Sequence, residues 1–183
     1  MAVDAIVGGL SKPAANMVAK KTIGSVFELL AKKYELVDIL KFKNNYLEYC
    51  DKILEVKTLV SQDRIYHIDE LFVPVHLVQP GSSAKFEIND NTALDNDRAL
   101  LIKGLAGQGK STLLRKLLSN NAKRFSRLPI FYELKNYKGG KIELSIAASL
   151  DDSGVKLGPY ALNRLLLDSN VKVYLDAFDE VKP

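Results

Sequence analysis

The stretch ALLIKGLAGQGKSTLLRKLL, residues 99–118, decides how the rest of the chain is read. It passes from an apolar run, a strand candidate, through a glycine-rich turn into a leucine stripe at helical spacing: Leu113, Leu114, Leu117 and Leu118. Within it, Gly104-Leu105-Ala106-Gly107-Gln108-Gly109-Lys110-Ser111 satisfies G-x-x-x-x-G-K-[ST] at every fixed position. At average residue usage such a match arises by chance in about half a percent of chains this long. The pattern answers an anion problem. Backbone N–H groups of Gly107, Gln108, Gly109, Lys110, Ser111 and Thr112 can converge on phosphate oxygens only where side chains are absent from the tightest part of the loop. The helix that opens near Lys110 adds its N-terminal partial positive charge. Lys110 is placed to reach the terminal phosphates, and the Ser111 hydroxyl to ligate Mg²⁺.

A phosphate loop alone does not separate binding from hydrolysis, so the next question is where a carboxylate arrives. The run VKVYL, residues 171–175, reads as a buried strand that ends at Asp176 and continues Ala177-Phe178-Asp179-Glu180. An aspartate at the carboxyl tip of a strand is where an open α/β sheet places its ligand chemistry, which makes Asp176 the metal-side candidate. Asp179 or Glu180, farther along the loop, is the candidate for polarising the attacking water.

Working outward, LPIFYEL (residues 128–134) is another strand candidate, IELSIAASL (residues 142–150) a helix, and a further helix opens at Gly158-Pro159 and runs through Leu165 to Asp168. Three strands separated by helices predict parallel pairing with right-handed crossovers. Before the glycine loop, LFVPVHLV (residues 71–78) alternates as an edge strand, demoted by Pro74, and Gln79-Pro80-Gly81-Ser82 supplies turn chemistry. Asn89 to Arg98 is polar and acidic and reads as a linker. The first sixty residues read as helical: Ser11 and Pro13 mark a first helix start, and Ile23, Val26, Phe27, Leu30, Tyr34 and Val37 form one stripe. A break at Lys43-Asn44-Asn45 separates it from a second stripe, Tyr46, Tyr49, Ile53, Val56 and Val60, giving a helical hairpin. The expected division is a helical domain over 1–62, a strand-containing connector over 63–98 and a nucleotide fold over 99–183.

Composition narrows the class. The chain has 183 residues, 47% apolar and 26% charged, so an ordinary globular makeup. Its single cysteine, Cys50, forms no internal disulfide, and His67 and His76 have no metal-site spacing, which makes the cytoplasm the default compartment. No apolar stretch approaches the ~20 residues of a membrane span. The charge is uneven: residues 61–98 carry 3 basic and 7 acidic side chains, residues 99–183 carry 14 and 8. A basic excess invites polyanions, but Arg115, Lys116, Lys123, Arg124 and Arg127 on or after the loop helix read first as a solvated or interdomain face, with nucleic acid the less favoured partner.

The segments LLIKGLAGQGKSTLLRKL, LPIFYELKNY and VYLDAFDE closely resemble the NACHT family of STAND-type P-loop NTPases, whose acidic motif runs aspartate, small residue, hydrophobic residue, acidic residues. The small residue there is usually glycine; Ala177 departs from that. The likeness covers about residues 99–181, and IDELFVPVHLV also looks like the stretch preceding the nucleotide domain in bacterial members. It implies an incomplete P-loop NTPase three-layer α/β sandwich with a parallel sheet, preceded by an N-terminal α-helical region. It further implies a switch driven by ATP, or GTP, with Mg²⁺, in innate immune or antiphage defence. Nucleotide exchange there promotes self-oligomerisation and turns on an attached effector, with slow hydrolysis in the complete protein and nucleotide binding by this portion. In that P-loop class a further strand lies between the glycine-loop strand and the acidic-motif strand; here it would follow residue 183, so the length reads as a cut through a larger protein. Two readings of other classes stand beside it: another P-loop ATPase or kinase, and a helical interaction module with a vestigial nucleotide site.

Overall fold

The structure is a computed structural model that describes residues 39–58, 63–92, 94, 99–124, 127–168 and 171–178. The first helix start, the stripe from Ile23 to Val37 and the acidic pair Asp179 and Glu180 lie outside the described residues. The described chain is mixed α/β. In order it comprises α1 (Ile39–Leu54), β1 (Glu55–Lys57), β2 (Ile65–His67), a single helical turn α2 (Ile68–Leu71), β3 (Val75–Val78) and β4 (Lys85–Ile88). Then follow α3 (Lys110–Arg124), β5 (Leu128–Glu133), a 3-10 turn (Leu134–Asn136), α4 (Ile142–Asp152), α5 (Pro159–Leu167) and β6 (Val171–Asp176).

The centre is the parallel pair β5 and β6, in register from Leu128 opposite Val171 to Glu133 opposite Asp176. Alternation sends Phe131 and Tyr174 to one face, where they pack with Leu113, Leu117 and Leu118 of α3. Leu128, Ile130 and Val171 turn to the other face, against Ile146 and Leu150 of α4 and Leu162 and Leu165 of α5. Helices therefore cover both faces, and the near-continuous apolar runs of both strands follow from that. The crossover from β5 to β6 runs through α4 and α5, as the alternation of strands and helices predicts.

The outer edge of β5 is closed by a helix rather than a strand. The Tyr46 hydroxyl donates to the Pro129 carbonyl at 2.6 Å. The Tyr49 hydroxyl donates to the Phe131 carbonyl at 2.8 Å and accepts from the Phe131 amide at 2.9 Å. Three residues apart on α1, the two rings lie side by side with centroids 5.9 Å apart. Pro129 fits this edge because its missing N–H faces away from the ladder with β6. Burial pushes both tyrosine hydroxyls well above their ordinary range, so they stay protonated donors.

Several expectations are corrected. The break at Lys43-Asn44-Asn45 does not occur: α1 runs through it, and the Asn45 amide leaves the helix to donate to the Gly154 carbonyl at 2.6 Å. Burial of Phe42, Tyr46, Tyr49 and Cys50 along one face outweighs the weak helix propensity of the two asparagines. The second stripe ends at Leu54, because Val56 enters β1 and pairs with Tyr66. The strand read over 71–78 shortens to Val75–Val78, with Leu71 in α2, and its partner β4 was not foreseen. The turn between them is as expected, with the Ser82 amide on the Gln79 carbonyl at 3.0 Å and Gly81 at φ 78°. Residues 99–105 carry no strand pairing among the described residues. The strand expected there is not formed among the described residues: Leu100 and Leu101 are 54% and 63% exposed, with no neighbouring strand to pair with.

Candidate functional site

The loop that enters α3 is shaped by glycine. Gly107 sits at φ 80° and Gly109 at φ 75°, both in the left-handed region that residues with a Cβ rarely adopt. A turn closes with the Gln108 amide on the Leu105 carbonyl at 3.3 Å, and the first intrahelical bond runs from the Leu113 amide to the Gly109 carbonyl at 2.9 Å. The amides of Lys110, Ser111 and Thr112 precede that bond, so the helix itself supplies them no acceptor. Lys110 folds back across the loop: its ammonium donates to the Gly104 carbonyl at 3.0 Å and the Leu105 carbonyl at 3.1 Å. Gly104, Gly107, Gln108, Gly109, Lys110, Ser111 and Thr112 are thus brought into one small cradle with the lysine held over it.

Asp176 is the last residue of β6 and only 8% exposed. Its position relative to the cradle follows from two other pairs. Tyr174, one pleat earlier on the same face, receives a hydrogen bond from the Asn121 amide and donates to the Leu117 carbonyl at 3.3 Å. Glu133, in register with Asp176, meets Arg115 at 3.7 Å. Moving toward the carboxyl ends of the strands therefore moves toward the N-terminus of α3, and Asp176 lies at the end that carries the glycine loop. Among the described residues its carboxylate makes no hydrogen bond or ion pair. Ser111 is exposed in the first turn of α3. No group of three His, Cys, Asp or Glu gathers among the described residues. The next residue, Ala177, takes φ 57°.

The basic residues of α3 divide between two neighbours. Lys116 is fully buried and donates to Asp69 at 2.6 Å and to Asp90. Lys123 meets Asp69 at 2.7 Å, Ser119 donates to the same carboxylate at 3.1 Å, and Arg124 donates to the Asn91 carbonyl. Asn120 completes the seam with bonds to the Asn89 and Thr92 carbonyls, each 2.8 Å. Burial alone would push the Asp69 carboxyl up, but hydrogen bonds and charge from Lys116 and Lys123 outweigh it and draw it down to about 2. Arg115 instead faces the sheet, its guanidinium 5.5 Å from the Phe131 ring centre. Lys116 is therefore internal, whereas Lys123 and Arg124 reach the same segment, residues 69–91, from exposed positions. A lysine inside the apolar stripe between Leu113 and Leu117 was the available sign of this.

Beside the cradle runs a groove of about 1200 Å³, walled by the β3–β4 hairpin and by residues 100–104 and reaching Gly109, Lys110 and Thr112. Its walls are mainly aliphatic and aromatic, among them Val75, Leu77, Phe86, Leu101 and Ile102, with Lys103 and Gln108 toward the loop. The hairpin contribution was not legible beforehand because β4 was not. No helix among the described residues is long and apolar enough to cross a membrane. No protein-family model matches this chain, and no curated protein or solved structure matches it either.

Proposed function

We propose that this chain carries the nucleotide site of a P-loop NTPase of NACHT type, binding ATP, or GTP, with Mg²⁺ as the input of a signalling switch in defence. The observation that carries the reading is the cradle from Gly104 to Thr112: two left-handed glycines, the start of a helix, and an ammonium held over them by two loop carbonyls. A triphosphate satisfies all three at once. Ser111 and Asp176 would hold the Mg²⁺, which would shield the charge of the phosphate oxygens. The apolar groove beside the cradle offers the nucleoside a desolvated wall.

The sheet supports the same class. β6 lies directly beside β5, the α1 tyrosines close the far side of β5, and residues 99–105 pair with neither strand. That arrangement fits P-loop proteins in which a further strand separates the loop strand from the acidic-motif strand. Asp179 and Glu180 remain the proposed water-activating pair, and hydrolysis and self-oligomerisation belong to the complete protein.

Titration of the chain with a fluorescent ATP analogue and Mg²⁺ is the test. Binding that Lys110→Ala weakens at least tenfold, with thermal stability of the unliganded variant unchanged, is the expected result. No binding, or equal binding by the variant, overturns the reading.

A further inference from the structure

Gln108 enters the phosphate-loop pattern at a position open to any residue, so the motif assigns nothing to its side chain. The structure gives that side chain a defined partner. Its Oε1 accepts the Leu105 amide at 2.8 Å, across the turn that the Gln108 backbone amide closes on the Leu105 carbonyl. Leu105 is therefore held at both its N–H and its C=O by one residue. Gly104 makes room for this contact: a Cβ there would stand 2.7 Å from Gln108 Oε1. The Gly104 and Leu105 carbonyls in turn carry the Lys110 ammonium at 3.0 and 3.1 Å.

We infer that Gln108 is a positioning residue, whose side chain bridges the loop and orients the Gly104 and Leu105 carbonyls so that Lys110 stays over the cradle. The inference rests on the nucleotide-site reading for its consequence, but the bridge itself exists without nucleotide. Unbridged, the Leu105 peptide is free to rotate, and the lysine loses a fixed anchor before any phosphate arrives. The role acts on ground-state affinity rather than on a chemical step, so it is read as a dissociation constant. Gly104 then has a reason beyond tight turning: it is the counterpart of the Gln108 amide.

Two readouts on the whole chain separate the bridge from the nucleotide reading. Hydrogen exchange of the Leu105 amide reports the bridge without ligand: protection is expected in the wild type and in Gln108→Glu, which keeps the acceptor, and is lost in Gln108→Ala and Gly104→Ala. Titration with a fluorescent ATP analogue and Mg²⁺ reports the consequence. Gln108→Ala and Gly104→Ala each weaken binding about fivefold, the scale of one hydrogen bond, and the double variant is no weaker than either single. Additive losses in the double variant, or Leu105 protection retained in Gln108→Ala, overturn the inference. Protection of Leu105 in a wild-type chain that takes up no ATP analogue at all overturns the nucleotide reading and with it the positioning role, while the bridge stands.

Discussion

Ala177 follows the strand-end aspartate with φ 57°, a conformation that costs a residue with a Cβ about 1–2 kcal/mol. Glycine removes that cost and returns part of it as unfolded-chain entropy, so Ala177→Gly is expected to stabilise the chain by about 0.5–1 kcal/mol, read as a raised midpoint in urea. A lowered midpoint would show that the methyl makes a packing contribution larger than the strain. Asp69 carries the opposite kind of effect. Its folded-state value of about 2 lies below the ordinary 3.8, so its pairing with Lys116 and Lys123 contributes fully above about pH 4 and is lost as pH falls toward 2. Asp69→Asn is expected to lose about 2 kcal/mol at pH 7, since Asp90 still answers Lys116, and the gap from wild type should close on acidification through that window. A gap independent of pH would mean that the loss is one of packing.

At the scale of elements, α1 performs the work of a missing strand on β5. A helix cannot supply a ladder, but two hydroxyls at i and i+3 reach the carbonyls of alternate residues Pro129 and Phe131, and Tyr49 serves the Phe131 amide as well. Tyr49→Phe leaves one buried N–H and one C=O of β5 without a partner, a cost of about 2 kcal/mol, and reopens an edge that can recruit other chains. Denaturant midpoints measure the first effect and light scattering on mild heating the second. Tyr49→Phe as stable as wild type would show that water replaces the hydroxyl. The hydroxyl role was not legible in the sequence, where tyrosines at helix spacing read as core, because periodicity identifies a face and not the atoms it meets.

For the molecule as a whole, the sheet ties two apolar clusters together: one with α1, α4 and α5, the other with α3 and the β3–β4 hairpin. Cys50 lies in the first, and burial pushes its thiol up to about 12. Its reaction with a neutral thiol reagent is expected to be suppressed in the folded chain and to proceed only through opening. If Mg²⁺ and ATP bind at α3, they should slow that labelling, although Cys50 sits on the opposite cluster, because a ligand of the folded state stabilises the whole cooperative unit. Labelling of Cys50 that ignores a ligand shown to bind would mean that the two clusters open independently.

The glycine loop and the start of α3, the strands over 128–133 and 171–176, the helices between them, and Asp176 at a strand tip were all legible in the residues. Each rests on local chemistry: glycine's freedom at positive φ, hydrophobic period, and the proline and turn residues that punctuate it. What only the tertiary structure decided is what those elements meet. Residues 99–105 have strand composition but no neighbour, Lys116 is a buried partner of Asp69 and Asp90 rather than a surface cation, and α1 ignores its asparagines because its other face is buried. The Gln108 bridge belongs there too. Periodicity and motif spacing determine which conformations a segment favours; pairing, burial of charge and the closing of a sheet edge depend on groups distant in sequence, and those are settled only when the chain has packed.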